Sequence, residues 1–99
     1  MSLEEVRAEI THIDEEIIQL IAQRQALAGK IAAIKQEASV SVHDRQRKND
    51  VLAYVMQVAK EKGIDPAPVK TIFETLIAMN EKQQHAIIGK KSPSGKTSR

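Results

Sequence analysis

An all-α fold of three helices per chain, assembled as an intertwined homodimeric bundle, is what the sequence predicts, and three observations carry it. Ninety-nine residues make one small domain, and with one Phe, one Tyr and no Trp its core must be built from Ile, Leu, Val, Ala and Met. The stretch from Ser2 to about Gln36 reads as one long helix. With Leu3 as the first heptad position, the seam falls on Leu3, Val6, Ile10, Ile13, Ile17, Leu20, Arg24, Leu27, Ile31 and Ile34, all aliphatic except Arg24. At ~1.5 Å per residue such a helix runs roughly 50 Å, beyond the diameter of a compact domain of this length, so its seam needs other chains as well as its own to cover it.

Each element has a start and a stop. Ser2 and Glu5 have the spacing of a capping box, which opens the first helix; Gly29 is its only weak former, a tolerated glycine or a point of close approach. Ala38-Ser39-Val40-Ser41-Val42 breaks the periodicity and reads as a loop. Asp44 caps the second helix, whose stripe is Val51, Leu52, Val55, Val58 and Ala59 and which ends at Gly63 as a left-handed cap. Asp65 caps the third, with Pro66 at its first position, where a missing amide does no harm. Val69, Ile72, Phe73, Leu76 and Ile77 form its inner face, continued by Asn80, Gln84 and Ile87. Tyr54 and Phe73 read as core. Residues 1–88 form the helical domain, and 89–99 are a basic tail with the composition of a disordered end.

Polar residues interrupt the inner faces of all three helices. A buried arginine without a partner costs several kcal/mol, so Arg24 asks either for a structural carboxylate, with Asp14, Glu16 and Asp50 as candidates, or for an anionic ligand. Lys35 lies eleven residues on, about three turns, at nearly the same azimuth. Arg47 sits four before Val51, and Asn80 and Gln84 continue the stripe of the third helix. Three cations and two amides without an evident nucleophile or metal cluster imply a small polyanion, most simply a dicarboxylate. Arg7 is seventeen residues before Arg24, roughly 25 Å along the axis, so it reaches such a ligand only from the partner of an antiparallel dimer.

Composition excludes much else. The formal charge is +2, but Lys90, Lys91, Lys96 and Arg99 lie in the last eleven residues; without them residues 1–88 carry −2, which argues against a broad nucleic-acid-binding face. There is no cysteine for disulfides or thiolate chemistry. No run approaches the ~20 apolar residues of a membrane span, and Glu4 and Glu5 do not suit a signal peptide, so a cytoplasmic protein is expected. His12, His43 and His85 have no mutual metal-ligand spacing.

The ordered set Val6-Arg7-Ala8-Glu9-Ile10-Thr11-His12-Ile13-Asp14, Leu20-Ile21-Ala22-Gln23-Arg24, Lys35, Val42-His43-Asp44-Arg45-Gln46-Arg47, Asn80 and Gln84, on three helices of decreasing length, resembles the all-helical class of chorismate mutase over residues 3 to about 88. That resemblance implies an intertwined dimer with two active sites, each completed by an arginine of the other protomer. Arg24 and the other protomer's Arg7 would hold the carboxylates of chorismate, Lys35 and Gln84 would donate to its ether oxygen, Arg47 would reinforce the positive site, Asp44 would lie near the hydroxyl, and Asn80 would face the ring carboxylate. The implied reaction is the pericyclic conversion of chorismate to prephenate, without cofactor or metal, in a stand-alone enzyme at the branch toward phenylalanine and tyrosine. In one respect the chain departs: the family usually has a glutamate after Arg47 to accept a hydrogen bond from the substrate hydroxyl, and Lys48 cannot accept it. Isochorismate pyruvate lyase, which shares the fold and cationic pocket and also lacks that glutamate, is the nearest alternative; a non-catalytic dimerisation or regulatory module is another. Asp44 and its Asp-x-x-Arg spacing to Arg47 favour the mutase.

Overall fold

A computed structural model describes residues 1–38 and 44–91. They form three helices, α1 (Leu3–Ala38), α2 (Arg45–Glu61) and α3 (Pro66–Lys91), with no strand among them. Each begins where a side chain satisfies amides that the helix itself leaves open. The Ser2 hydroxyl accepts from the Glu5 amide at 3.1 Å, and the Glu5 carboxylate accepts from the Ser2 amide at 2.8 Å, a reciprocal pair that lowers the Glu5 pKa. Asp44 accepts from the Arg47 amide at 2.9 Å, and Asp65 from the Ala67 amide at 3.0 Å. Pro66 and Pro68 fall within the first turn of α3, where their missing donors leave nothing unpaired. Gly63 ends α2 at φ 72°, and the Ile64 amide returns to the Ala59 carbonyl at 2.8 Å.

The helix lengths do not decrease along the chain as expected. α2 has 17 residues and α3 has 26, because no proline follows Pro68 before position 93. α1 extends two residues past Gln36, and α3 continues to Lys91, through the boundary expected at 88. The expected loop at 39–42, His43 and residues 92–99 lie outside the described residues.

α3 packs against both other helices, whereas α1 and α2 make no close backbone approach to each other. The molecule measures 58 × 29 × 17 Å, with α1 projecting beyond the other two helices' reach. On α1 the buried residues are Ala28 and Ala32, and between them Gly29 comes so close to α3 that an added Cβ would stand 2.8 Å from Ile87 Cδ1. This stripe is displaced from the heptad seam. The seam faces outward: Leu3 is 64% exposed, Leu20 61%, Leu27 55% and Ile34 67%, so the long apolar lane is not covered within the chain. Small residues form the intrachain contact because they let two backbones approach, and the larger aliphatics remain beside it.

Leu52 and Ala59 of α2 and Ile77 of α3 are buried, in the expected stripes. Two expectations fail. Tyr54 is exposed rather than core, since α2 turns the Leu52–Ala59 side to α3, and Ile72 is exposed because α3 packs through Phe73, Leu76, Ile77, Asn80 and Gln84 instead.

Gly29 and Gly63 should respond unequally to alanine. At Gly63 the positive φ makes Gly63→Ala destabilising by about 1–2 kcal/mol. At Gly29 the obstacle is the end of a flexible side chain, and the gain in helix propensity of about 1 kcal/mol offsets its displacement, so Gly29→Ala should change stability by less than Gly63→Ala. Denaturant unfolding of both variants measures the difference.

Candidate active site

The gap between α1 and α2, floored by α3, is a cleft of about 450 Å³. Its position follows from the packing: α3 lies close to both neighbours, whose backbones make no close approach to each other. Arg24 and Lys35 line it from α1, Asp44, Arg47 and Lys48 from the start of α2, and Asn80, Glu81 and Gln84 from α3. Leu27, Ala28, Ile31, Val51 and Ile77 supply an apolar lining between them. Every candidate residue picked from the sequence therefore borders one cavity, apart from Arg7. Arg7 lies seventeen residues before Arg24 on an exposed part of α1 and does not line the cleft.

Arg24 is half-buried, and its guanidinium donates to Asn80 Oδ1 while its charged carbon stands 5.9 Å from the centre of the Phe73 ring. Neither contact neutralises it. Burial, and secondarily the like charge of Arg47, lowers its pKa from the ordinary arginine value, although a guanidinium stays protonated in a protein. Among the described residues no carboxylate pairs with Arg24. Of the candidates, Asp50 accepts from the Gln46 side-chain Nε2 at 2.8 Å and Glu16 faces His12 at 3.9 Å. The structural-pair reading of Arg24 is thus replaced by a neutral partner, and the positive charge is left facing the cleft.

Asn80 is buried and uses both ends of its amide: the oxygen accepts from Arg24 and the nitrogen donates to Gln25 Oε1. Gln84, one turn on, is also buried, and its Oε1 has no hydrogen-bond partner among the described residues. A buried unpaired acceptor costs about 1–3 kcal/mol, and only a donor can satisfy it, whereas the amide nitrogen of the same side chain is the end that can donate to an oxygen of a ligand. Four cations face two carboxylates around the cleft, leaving a formal excess of two positive charges. A dianion of small size matches that balance. Asp44 already spends one carboxylate oxygen on the Arg47 amide, so the cleft side of α2 begins at a capped helix N-terminus, whose partial positive charge adds to the side-chain cations.

The sequence reading did not single out Glu81, which lines the cleft, or Gln25, which holds Asn80. Glu81 follows Asn80 directly and lines the cleft beside Lys48. Gln25 lies three residues before buried Ala28, on the α3-facing stripe, a signal that becomes visible only once that stripe is distinguished from the heptad seam. Lys48 does not point away from the cleft; it is part of its wall. Among the described residues no cluster of three or more His, Cys, Asp or Glu could hold a metal, and no helix is long and apolar enough to cross a membrane.

Comparison with known proteins identifies the family. Chorismate mutase of Methanocaldococcus jannaschii is 33% identical over 82 residues, which are 83% of this chain and 83% of that protein. A bifunctional chorismate mutase/prephenate dehydratase of Aquifex aeolicus is 30% identical over 97 residues, covering 91% of this chain but only 27% of that longer protein. Among solved structures, a conserved hypothetical protein from Pyrococcus furiosus superposes with a TM-score of 0.65 at 30% identity, over 83% of this chain and 93% of that one. The family model for chorismate mutase type II matches residues 6–85, a span that holds α1 from Val6, all of α2, and α3 as far as the last cleft residue, Gln84. The chain belongs to the type II chorismate mutase family.

Proposed function

We infer that this chain is a chorismate mutase, an isomerase that rearranges chorismate to prephenate, and that the cleft between α1 and α2 is where it does so. The observation that carries the assignment to the cleft is the convergence of Arg24, Lys35, Arg47, buried Asn80 and buried Gln84 on one cavity with an excess of positive charge. The substrate is a small dicarboxylate. Its rearrangement breaks a C–O bond and forms a C–C bond within one molecule, with no proton to move and no nucleophile to supply. Catalysis then needs the reactive conformer and stabilisation of the charge that grows on the departing oxygen.

In this reading Arg24 clamps one carboxylate, and Arg47 raises the local positive potential. Lys35 and the Gln84 amide nitrogen donate to the ether oxygen as its bond breaks, and Asn80 directs its second N–H to the ring carboxylate. With Lys48 unable to accept from the substrate hydroxyl, that role falls to Asp44 or Glu81, the two carboxylates on the cleft. The apolar lining excludes water from the reacting carbons, which strengthens each of these polar contacts.

The outward seam of α1 supports a homodimer. An aliphatic lane running from Leu3 to Ile34 and left uncovered is an interface between chains, and burial of it at about 25 cal/mol per Å² is the driving force. In an antiparallel pairing, Arg7 of the partner subunit reaches the cleft and clamps the second carboxylate. Residues 1–88 act as the catalytic domain, residues 89–99 as an appended basic tail, and the compartment is the cytoplasm.

Chorismate and isochorismate, given separately to the purified protein without added cofactor and followed by NMR, test the assignment. Prephenate from chorismate is the expected product; salicylate and pyruvate from isochorismate would reassign the cleft to the lyase reaction, and turnover of neither would leave a non-catalytic module. Lys35→Ala or Gln84→Ala should lower kcat by about 10²–10³ and change KM much less. Equal losses in both parameters would remove the ether-oxygen role. Arg24→Leu should abolish turnover while the protein stays folded: the variant removes a half-buried charge with no carboxylate partner but leaves buried Asn80 Oδ1 without its donor, costing about 1–3 kcal/mol of stability in denaturant unfolding. An active Arg24→Leu protein would place the site elsewhere. The shared site has its own test: Arg7→Ala and Arg24→Ala proteins, each inactive, should regain about a quarter of wild-type activity when unfolded together and refolded, since half the dimers are then hybrids with one intact site of two. No recovery would mean that Arg7 does not complete the partner's cleft.

A further inference from the structure

We propose that Gln25 is a positioning residue that acts on the substrate through Asn80, forming with Arg24 a two-point clamp on the Asn80 amide. Arg24 and Gln25 are adjacent on α1, and both reach the same α3 side chain: the Arg24 guanidinium donates to Asn80 Oδ1, and Asn80 Nδ2 donates to Gln25 Oε1. The chemistry of the three groups makes this order the productive one. A guanidinium is donor-only, so it selects the oxygen end of Asn80; the nitrogen end must then find an acceptor, and Gln25 presents one. An asparagine amide otherwise rotates between two nearly isoenergetic faces, with O and N exchanged.

With both ends held, the amide plane is set and one N–H of Asn80 remains uncommitted. Asn80 is buried and borders the cleft, so that remaining donor is fixed in place before any ligand arrives. Arg24 is fixed too. Its contact with Asn80 ties one arm of the guanidinium to α3 and leaves its other donors for a carboxylate. Gln25 itself does not line the cleft. Donation from Asn80 to Gln25 also polarises the amide and makes its oxygen a stronger acceptor for Arg24, as in any chain of hydrogen bonds. Loss of Gln25 therefore loosens the carboxylate clamp and leaves the groups at the ether oxygen untouched.

The kinetic consequence rests on the chorismate mutase reading; the clamp itself rests on the contacts alone, and the experiment separates the two. Wild type, Gln25→Leu and Gln25→Ala are compared, each with and without Asn80→Ala, for kcat and KM with chorismate and for the side-chain amide resonances of Asn80 in a ¹⁵N-labelled protein. Gln25→Leu should raise KM about tenfold, the loss expected of one hydrogen bond in the relay, with kcat changed much less. In the Asn80→Ala background the same change should have no further effect. The two Asn80 amide protons, distinct in wild type, should move toward the position of a free amide in both Gln25 variants. Unaltered KM in Gln25→Leu, or an equal loss with and without Asn80, would overturn the positioning role, because a residue that merely packs acts independently of Asn80. Should wild type fail to turn over chorismate, the reading of the site falls, and the resonances decide the clamp by themselves: unmoved Asn80 amide protons in both Gln25 variants overturn it.

Discussion

A guanidinium held at the meeting of α1 and α3 by a neutral amide is the interaction on which the rest of this structure depends. A carboxylate in place of Asn80 would make a stronger bond to Arg24 and would cancel its charge. The amide fixes the group and leaves the charge intact. Half-burial makes that charge more effective toward an incoming anion, since field lines in a cleft with apolar walls are screened less than on an open surface. Burial disfavours the charged form of Arg24, and an anion bound beside it favours that form again.

Such an arrangement needs α3 close to α1 and α2 set away from α1. Small residues provide the first condition, since Ala28, Gly29 and Ala32 place no bulk between the two backbones. The second follows from α3 packing on both helices while they stay apart. The cleft is consequently the space that the packing leaves, and the polar residues stand where the inner stripes of three helices pass its edge. No strained backbone is required, and the caps at Ser2, Asp44 and Asp65 are formed from local sequence alone.

The helix starts, the left-handed Gly63 and the cleft's Arg24, Lys35, Arg47, Asn80 and Gln84 were legible in the sequence because each depends on spacing along one chain. Lys35 is eleven residues from Arg24, and Gln84 is four from Asn80; those intervals translate directly into a shared face. What was not legible depends on which face meets which neighbour. The strongest apolar periodicity on α1 marks its outward lane, not its contact with α3, and alanine and glycine carry little signal in a hydrophobic pattern. Tyr54 and Ile72 were misplaced for the same reason. So was Gln25, which looks like any polar helical residue until the displaced stripe is located.

The close approach of α1 to α3 at Gly29, where an added Cβ would stand 2.8 Å from Ile87 Cδ1, gives the chain an unequal tolerance to change. Along the outward lane from Leu3 to Leu20, away from the cleft, one aliphatic can replace another with little consequence inside the chain. On the narrow stripe, bulk at Ala28 or Ala32 would wedge α3 away and stretch the reach from Arg24 to Asn80. A lineage drifting under selection can therefore lose the cleft's geometry without altering one charged or amide group. Residues with almost no chemistry of their own serve as the spacer that calibrates those that have it.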